Sequence, residues 1–227
     1  MNEKAAISTV PAEAPEHERV YRALRSRVLY GDLRPGQPVT IQGLISELGA
    51  GMTPVREAIR RMTSDGGLIF QGNRRVSVPV LDRSNVEEIL FLRCQIEPEL
   101  TRRACLVCTP DVIADLRQAD GALDTAISEG DIAGYLRQNH RFHERLYDSA
   151  GAPILAQTVA RLWLRFGPSL RVVCGRFGTL NLPDRHREIM AALEAGDPEA
   201  ASEAMRHDIA EGMSQVLAVL EEGAAQV

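Results

Sequence analysis

Residues 53–61, with the sequence TPVREAIRR, constrain the fold of this chain more than any other stretch. Thr53 can cap a helix because its hydroxyl can accept from a free first-turn amide, and Pro54 suits the first helical position. Three arginines project from the surface of this predicted helix, Arg56, Arg60 and Arg61, and together with Thr53 they are its candidate DNA contacts. An arginine can donate two hydrogen bonds at once to guanine or to a phosphate, so the helix suits a DNA groove. An ordinary amphipathic helix with a solvated basic face explains the same stretch equally well.

The neighbours of this helix predict a winged helix-turn-helix. Apolar periodicity and turn residues place helices at 17–30, 41–48 and 53–65, and strands at 68–71 and 76–80. A short Gly-containing turn joins the second and third helices, as in other helix-turn-helix motifs. The hairpin carries Arg74 and Arg75 at its tip, where they can lie along phosphates or in a minor groove. We therefore predict a DNA-binding domain at 16–80, preceded by a loose tail at 1–15.

The charge of the chain is unevenly distributed. Residues 16–80 hold 10 arginines and 6 acidic residues, a net charge of +4, although the whole chain carries –5. A basic segment ahead of an acidic remainder indicates that the first part meets a polyanion. No apolar run reaches the roughly 20 residues that a membrane span needs, and residues 1–18 are too polar for a secretion signal. We expect a cytoplasmic protein that makes no membrane contact.

The segment LYGDLRPGQPVT…LISELGAGMTPVREAIRRM resembles the DNA-binding domain of bacterial GntR-family transcription regulators. The resemblance covers the turn at 31–36, the start of the third helix and the wing. This chain has Gly51 and Met52 where the family usually has Ser-Arg, so one common arginine contact is absent. The wing has arginine where the family often has glycine. The resemblance implies a homodimer that binds a palindromic double-stranded DNA operator.

Residues 84–223 read as an all-helical bundle of six or seven helices, so the predicted fold is mainly α. Helical periodicity and breakers place helices at 85–107, 110–128, 132–149, 154–166, 169–174, 184–194 and 199–220. Ser84 is the predicted cap of the first helix. Gly167 and Pro168 are expected to kink the chain between the fourth and fifth.

Histidines are concentrated in this second part of the chain, at positions 140, 143, 186 and 207. Asn139 and His143 are four residues apart and so share one face of a helix. Imidazole nitrogens of His143, His186 and His207, with the Asn139 carbonyl, could hold a first-row metal. The spacing alone leaves open that these are scattered polar or core histidines. His140 pairs with Glu144 at helical spacing and is predicted to be a surface residue.

The stretch NHRFHERLYDSAGAPIL is similar to the FCD-type ligand-binding domain of one GntR branch. That resemblance implies a metal motif of Asn139 and His143, then His186, then His207. It also implies a divalent transition metal, zinc foremost with nickel or manganese as alternatives. Asn139 stands where Asp is commoner, which removes one negative charge from the site. The resemblance implies a transcription regulator controlled by a small carboxylate effector. A repressor is the first expectation, and an activator stays open.

Arg93 is the first candidate for binding that carboxylate, and Arg165 is a second. An arginine in a ligand cavity can clamp a carboxylate, but Arg93 could equally form a structural ion pair with Glu97. Two other functions stay open at this stage. One is a metal-dependent hydrolase built on the histidine cluster, although no general-base motif accompanies it. The other is the same regulator with a metal-free cavity for a larger ligand.

Overall fold

The computed structural model of the protein describes residues 15–72, 75–178 and 184–224. The predicted tail, apart from Pro15, lies outside these residues, and so does Arg74. The elements of the N-terminal module are α1 (Glu16–Leu29), β1 (Pro38–Val39), α2 (Ile41–Leu48), α3 (Met52–Ser64), β2 (Ile69–Gln71) and β3 (Arg75–Ser77). The strands form an antiparallel sheet in the order β1-β3-β2, with Phe70 opposite Val76. Helices α1 and α3 pack together, so the winged helix-turn-helix prediction is confirmed.

Helix α3 begins one residue earlier than predicted, and Thr53 does not cap it. Gly51 occupies the N-cap position, and Thr53 lies within the first turn. Gly49 adopts a left-handed conformation with φ of 58°, which ends α2 and turns the chain tightly. The Gly51 amide donates to a carboxylate oxygen of Glu16 at 3.2 Å. A side chain from α1 therefore serves the start of α3, which local sequence does not reveal.

The remaining described elements form a helical bundle: α4 (Arg83–Leu106), α5 (Pro110–Glu129), α6 (Ile132–Ser149), α7 (Pro153–Phe177), α8 (His186–Ala195) and α9 (Pro198–Ala224). Helix α4 packs along α9, and α5 packs along α6. Asp82, rather than Ser84, caps α4. Its carboxylate accepts from the Asn85 backbone N–H, and the Asn85 side-chain oxygen accepts from the Asp82 backbone N–H. The prediction of a mainly α protein with a bundle of six or seven helices is confirmed. Within the described residues, no helix is both long and apolar enough to cross a membrane.

Helix α7 runs without a break through Gly167 and Pro168, so the predicted division into two helices is wrong. Proline removes one backbone hydrogen bond, but the turns on either side bury Phe166 and Leu170 in the core, which keeps the helix continuous. Gly167 lies directly against α1. A Cβ at this position would lie 2.4 Å from the Leu29 carbonyl oxygen. The two parts of the chain therefore meet backbone to backbone along α1 and α7.

Candidate nucleic-acid interface and metal centre

Arginines from α3 and the wing line one open groove of about 700 Å³ on the N-terminal module. Arg56 and Arg60 reach it from α3, one turn apart, and Arg75 reaches it from β3. Phe70 lines the same groove and is 62% exposed. Arg60 forms an ion pair with Glu57 at 2.6 Å, whereas no residue in the described ranges pairs with Arg56 or Arg75. The groove therefore presents the unneutralised guanidinium groups of Arg56 and Arg75, which the phosphates of a polyanion can pair with.

Two other residues predicted to bind DNA lie elsewhere. Arg61 points towards α1, where it pairs with Glu18 at 2.7 Å and covers the Tyr21 ring at 3.6 Å. It braces α3 against α1 and does not line the groove, so the structure separates it from Arg56 and Arg60. Thr53 is exposed, on a neighbouring surface beside Glu16. Arg74 falls in the gap between the described residues.

Two histidines and an aspartate from three helices form a buried cluster. Ligand atoms of His143 on α6, His186 on α8 and Asp208 on α9 all lie within 4.8 Å of one another. Asn139 lines the same cavity. His207 does not take part: it is exposed and pairs with Glu203 at 3.1 Å. Successive residues on a helix differ by about 100° in direction, so Asp208 enters the cluster while its neighbour His207 points away from it.

Hydrogen bonds fix which nitrogen of each histidine is free for a ligand. His186 Nδ1 lies 3.0 Å from Asp120 Oδ1, and its buried Nε2 has no partner among the described residues. His143 Nδ1 lies 3.0 Å from the Tyr147 hydroxyl, which in turn donates to Glu97. Both rings therefore carry the proton on Nδ1 and keep the Nε2 lone pair. His186 therefore has a carboxylate partner directly, and His143 has one through the Tyr147 hydroxyl. Partners of this kind orient metal-binding imidazoles and raise their basicity.

The charges around the cluster suit a bound cation. His143 Nε2 lies 3.4 Å from Asp208 Oδ2, so two acceptors face each other without a donor between them. Burial holds the pKa of His143 well below its ordinary value, and burial also raises the pKa of Asp208. Burial acts to lower the pKa of His186, but the hydrogen bond with Asp120 and the Asp208 charge outweigh it and the pKa is raised. Two imidazoles and a carboxylate are donors that first-row divalent ions accept. The residues present therefore fit a metal ion of this class.

Arg93 lies beside the cluster, where it both forms the ion pair with Glu97 and lines the cavity in which a ligand could bind. Its guanidinium forms two hydrogen bonds with Glu97, at 2.6 and 3.0 Å, so the structural ion pair exists. The same guanidinium lies over Phe166 at 4.3 Å from the ring centroid and lines the metal cavity. Arg165 does not line this cavity. It lies against Gly66 at the junction with the N-terminal module, where a Cβ on Gly66 would be 2.7 Å from its Nε.

His140 is buried rather than on the surface, contrary to the prediction. It is 4% exposed, and its ring meets Tyr30 and Trp163 edge-on. Burial lowers its pKa to about 3, and the charge of Arg25 acts in the same direction. The imidazole is therefore neutral. Its spacing from Glu144 at i,i+4 was a misleading signal, because that pair is 3.8 Å apart and the two residues differ in burial.

Sequence reasoning missed Asp208 and Asp120. Asp208 lies close to the buried stripe of α9, whose members are Ala201, Met205, Ile209, Met213 and Val216. That apolar periodicity could have favoured Asp208 over its neighbour His207. Asp120 gave no comparable signal, because its partner His186 is 66 residues away in the chain.

The N-terminal module is a winged helix with a cationic groove, and it is joined to a helical bundle that buries two histidines and an aspartate. This combination is typical of the class of ligand-responsive DNA-binding regulators. Comparison with known proteins places the chain within that class. Residues 16–78 match the family described as "Bacterial regulatory proteins, gntR family", and residues 88–211 match the FCD domain. The chain belongs to the FCD-containing branch of the GntR family of bacterial transcription regulators.

Individual relatives agree with this assignment. The Escherichia coli K12 regulator McbR is 29% identical over 205 residues, spanning 89% of this chain and 91% of McbR. The E. coli K12 transcriptional repressor RspR is 24% identical over 209 residues, with 89% and 90% of the two chains covered. The solved structure of E. coli McbR/YncC matches with a TM-score of 0.82 and 28% identity over 93% of this chain and all of that one. The relatives are regulators, which confirms that this chain is a regulator and not an enzyme.

Proposed function

We propose that this protein is a cytoplasmic repressor that binds a palindromic operator as a homodimer and releases it when a small carboxylate binds a metal in the bundle. In this proposal residues 16–80 bind DNA and residues 84–223 bind the effector and form the dimer. Arg56, Arg60 and Arg75 contact the operator in this proposal, and so does Arg74, the neighbour of Arg75 in the sequence. The description of RspR as a repressor supports the repressor role.

The metal proposal depends on one observation. Hydrogen bonds at Nδ1 leave the Nε2 lone pairs of His143 and His186 free, and both histidines lie beside Asp208 in a buried cluster. Asn139 can add an amide oxygen. Zinc is the first candidate, with nickel and manganese as alternatives. When bound, the metal supplies a positive charge with open coordination positions. The chain supplies the donors, excludes bulk water and provides the Arg93 guanidinium beside the metal position.

A carboxylate effector fits this chemistry because two positive groups would face it. Arg93 uses Nε and Nη2 for Glu97, which leaves Nη1 for a ligand oxygen. A charge-assisted hydrogen bond of this kind is stronger than a neutral one. Glu97 in turn keeps the guanidinium in place, so the ion pair is a positioning device for the effector site. A neutral ligand would gain neither interaction.

The size of the cavity explains how an effector could change the molecule. The cavity is about 40 Å³, and a single water needs roughly 10–15 Å³ of such space, so the cavity holds about three waters. A carboxylate larger than this therefore has to displace the walls. Three wall residues, Trp163, Phe166 and Leu170, belong to α7. Because Gly167 of the same helix touches Leu29 of α1, movement of α7 reaches the DNA-binding module directly. An effector acts only through its different affinity for the two arrangements.

The test begins by selecting bound sequences from a random duplex pool with the zinc-loaded protein. We expect a palindromic motif, and light scattering should give the mass of a dimer on it. Operator affinity is then measured by fluorescence anisotropy across small mono- and dicarboxylates, with zinc and after chelation. The proposal expects at least one carboxylate to weaken binding only when metal is present. A motif without two-fold symmetry would contradict the homodimer. Equal weakening in the chelated protein would favour a metal-free cavity.

A further inference from the structure

A second cavity lies beside the metal cavity, between α6 and α7. Its volume is about 210 Å³, five times that of the metal cavity. Its walls are His140, Glu144, Tyr147, Asp148, Pro153, Ala156, Gln157, Val159, Ala160 and Trp163. Trp163 lines both cavities, so the indole forms part of the partition between them. The function proposed above leaves this larger space without a role.

One wall of this cavity carries a polar group that lacks a partner. His140 Nδ1 is buried and makes no hydrogen bond to any described residue. Glu144 Oε2 lies 3.8 Å from that nitrogen, too far for a direct bond. An unsatisfied buried polar atom costs free energy, so a group that bridges the nitrogen and the carboxylate would be stabilised. The bridging group must donate hydrogen bonds, because a carboxylate only accepts.

The other walls define the shape and charge of an occupant. The two charged side chains that line the cavity, Glu144 and Asp148, are both acidic. Alanine, valine and proline side chains and the Trp163 indole form the apolar remainder. An engineered cavity of about 150 Å³ is known to hold benzene, so 210 Å³ accommodates a singly substituted benzene or a branched alkyl chain. An anion would meet two carboxylates here, and none of the described wall residues is an arginine that could offset them.

We propose that this cavity is a binding site for a small organic cation, whose ammonium group bridges His140 and Glu144 while its apolar body packs against Trp163. The site goes beyond the proposed function, because its ligand has the opposite charge and occupies a different cavity. An ammonium has three donors, enough for the imidazole nitrogen, the carboxylate and one further acceptor. An indole face also attracts a cation lying over it.

The position of the cavity makes such a ligand a second input to the regulator. Glu144 faces the Arg25 guanidinium of α1 at 4.0 Å, and the His140 ring lies 5.9 Å from the Tyr30 ring at the end of α1. A cation bound to Glu144 competes with Arg25 for the same carboxylate. It therefore removes one contact between the bundle and the DNA-binding module. Operator affinity should respond to the cation even when the metal cavity is unchanged.

The experiment uses benzylammonium as the probe, with benzyl alcohol and benzoate as matched ligands of other charge. Trp163 is the single tryptophan of the chain, so its fluorescence reports on the cavity, and calorimetry provides the stoichiometry. We expect saturable binding of benzylammonium with one site per chain. Benzyl alcohol should bind about tenfold more weakly or worse, since it lacks the charge-assisted bond to Glu144. Benzoate should not bind in this cavity.

Variants locate the site. Glu144→Gln should lower benzylammonium affinity about tenfold or more, while Glu129→Gln, which removes the same charge from an exposed position at the end of α5, should not. Ala160→Leu should fill the cavity and abolish binding, while Ala191→Leu on the exposed side of α8 should leave it intact. Operator binding by Glu144→Gln should no longer respond to benzylammonium.

Three results would overturn the proposal: no saturable benzylammonium binding at millimolar concentrations, equal affinity for benzoate, or an unchanged affinity in Glu144→Gln. Asp208→Asn separates this proposal from the metal proposal. It should lose the metal and keep benzylammonium binding. If benzylammonium binding were lost with the metal, the cation would occupy the metal cavity and the second site would be rejected.

Discussion

The DNA-binding groove and the metal cavity both contain arginine, but the two sites treat its charge in opposite ways. Arg56 lies in an open groove, exposed to solvent. The Arg93 side chain is 5% exposed, and its partner Glu97 is fully buried. An exposed charge is solvated and screened by salt, so it can be left free for a partner. A buried charge must be paired, so the Arg93 guanidinium depends on Glu97 to neutralise it. The groove should therefore tolerate substitution of single residues better than the cavity does.

The sharpest test of this comparison is Asp208→Asn in the metal cavity. The amide keeps the shape of the side chain but removes the charge that a divalent ion would bind. Loss of an outer-shell partner typically lowers metal affinity 10–100-fold, so loss of this direct ligand should lower zinc affinity by more than about 100-fold. Competition with a chromophoric chelator measures the affinity. His207→Ala is the matched control, and its zinc affinity should equal that of the unchanged protein. If His207→Ala lost zinc instead, the ligand set given by the helix geometry would be wrong.

The same two residues show what the sequence could predict about the cavity. The motif around His143 and the position of His186 were enough to predict that these two histidines from two helices lie together, and the structure brings them together. The third member of the cluster depends on the rotational phase of α9, where a shift of one residue turns the side chain by about 100°. Sequence spacing could not resolve that shift. The second carboxylate, Asp120, comes from α5 and meets His186 only through tertiary packing.

For the N-terminal module, sequence predicted more because more of its information is local. The three helices and the hairpin follow from apolar periodicity and turn residues within about 65 residues. Helical spacing shows that Arg61 is exposed, but not that it faces Glu18 on α1. Strand β1 was missed because its two residues, Pro38 and Val39, are too few to show alternation. Both features depend on contacts between distant segments, since β1 is defined by its pairing with β3.

The groove gives the second test, through Arg56→Ala with Arg61→Ala as its matched control. An arginine that contacts a base contributes about 1–3 kcal/mol, so Arg56→Ala should weaken operator binding roughly 5- to 150-fold at fixed salt. Arg61→Ala removes an exposed ion pair with Glu18, which is worth about 1 kcal/mol of stability or less, and should leave operator affinity nearly unchanged. Anisotropy at several salt concentrations separates base contacts from phosphate contacts, since losing a phosphate contact lowers the salt slope by about one. Equal losses in both variants would show that α3 meets DNA along a different face.

The third test concerns the contact that joins the two regions, and it compares two glycines of α7. Gly175 lies in the last turns of the helix with open space around its missing Cβ. Gly175→Ala should therefore stabilise the protein by up to about 1 kcal/mol, as alanine does in a helix. Gly167→Ala gains the same helical preference but places a Cβ 2.4 Å from the Leu29 carbonyl oxygen, a contact that rigid backbone cannot accommodate. Overpacking of this kind typically costs about 1–3 kcal/mol.

Urea unfolding of the two alanine variants measures this difference, and operator binding measures its consequence. Because Gly167 is where α7 touches α1, the Ala variant should separate these helices. A carboxylate that moves α7 should then change operator affinity less in Gly167→Ala than in Gly175→Ala. If the two variants were equally stable and responded equally to the effector, the backbone contact between Gly167 of α7 and Leu29 of α1 would not be the link. The coupling would then have to pass through side-chain contacts such as Arg161 with Asp65, 3.6 Å apart at the same junction.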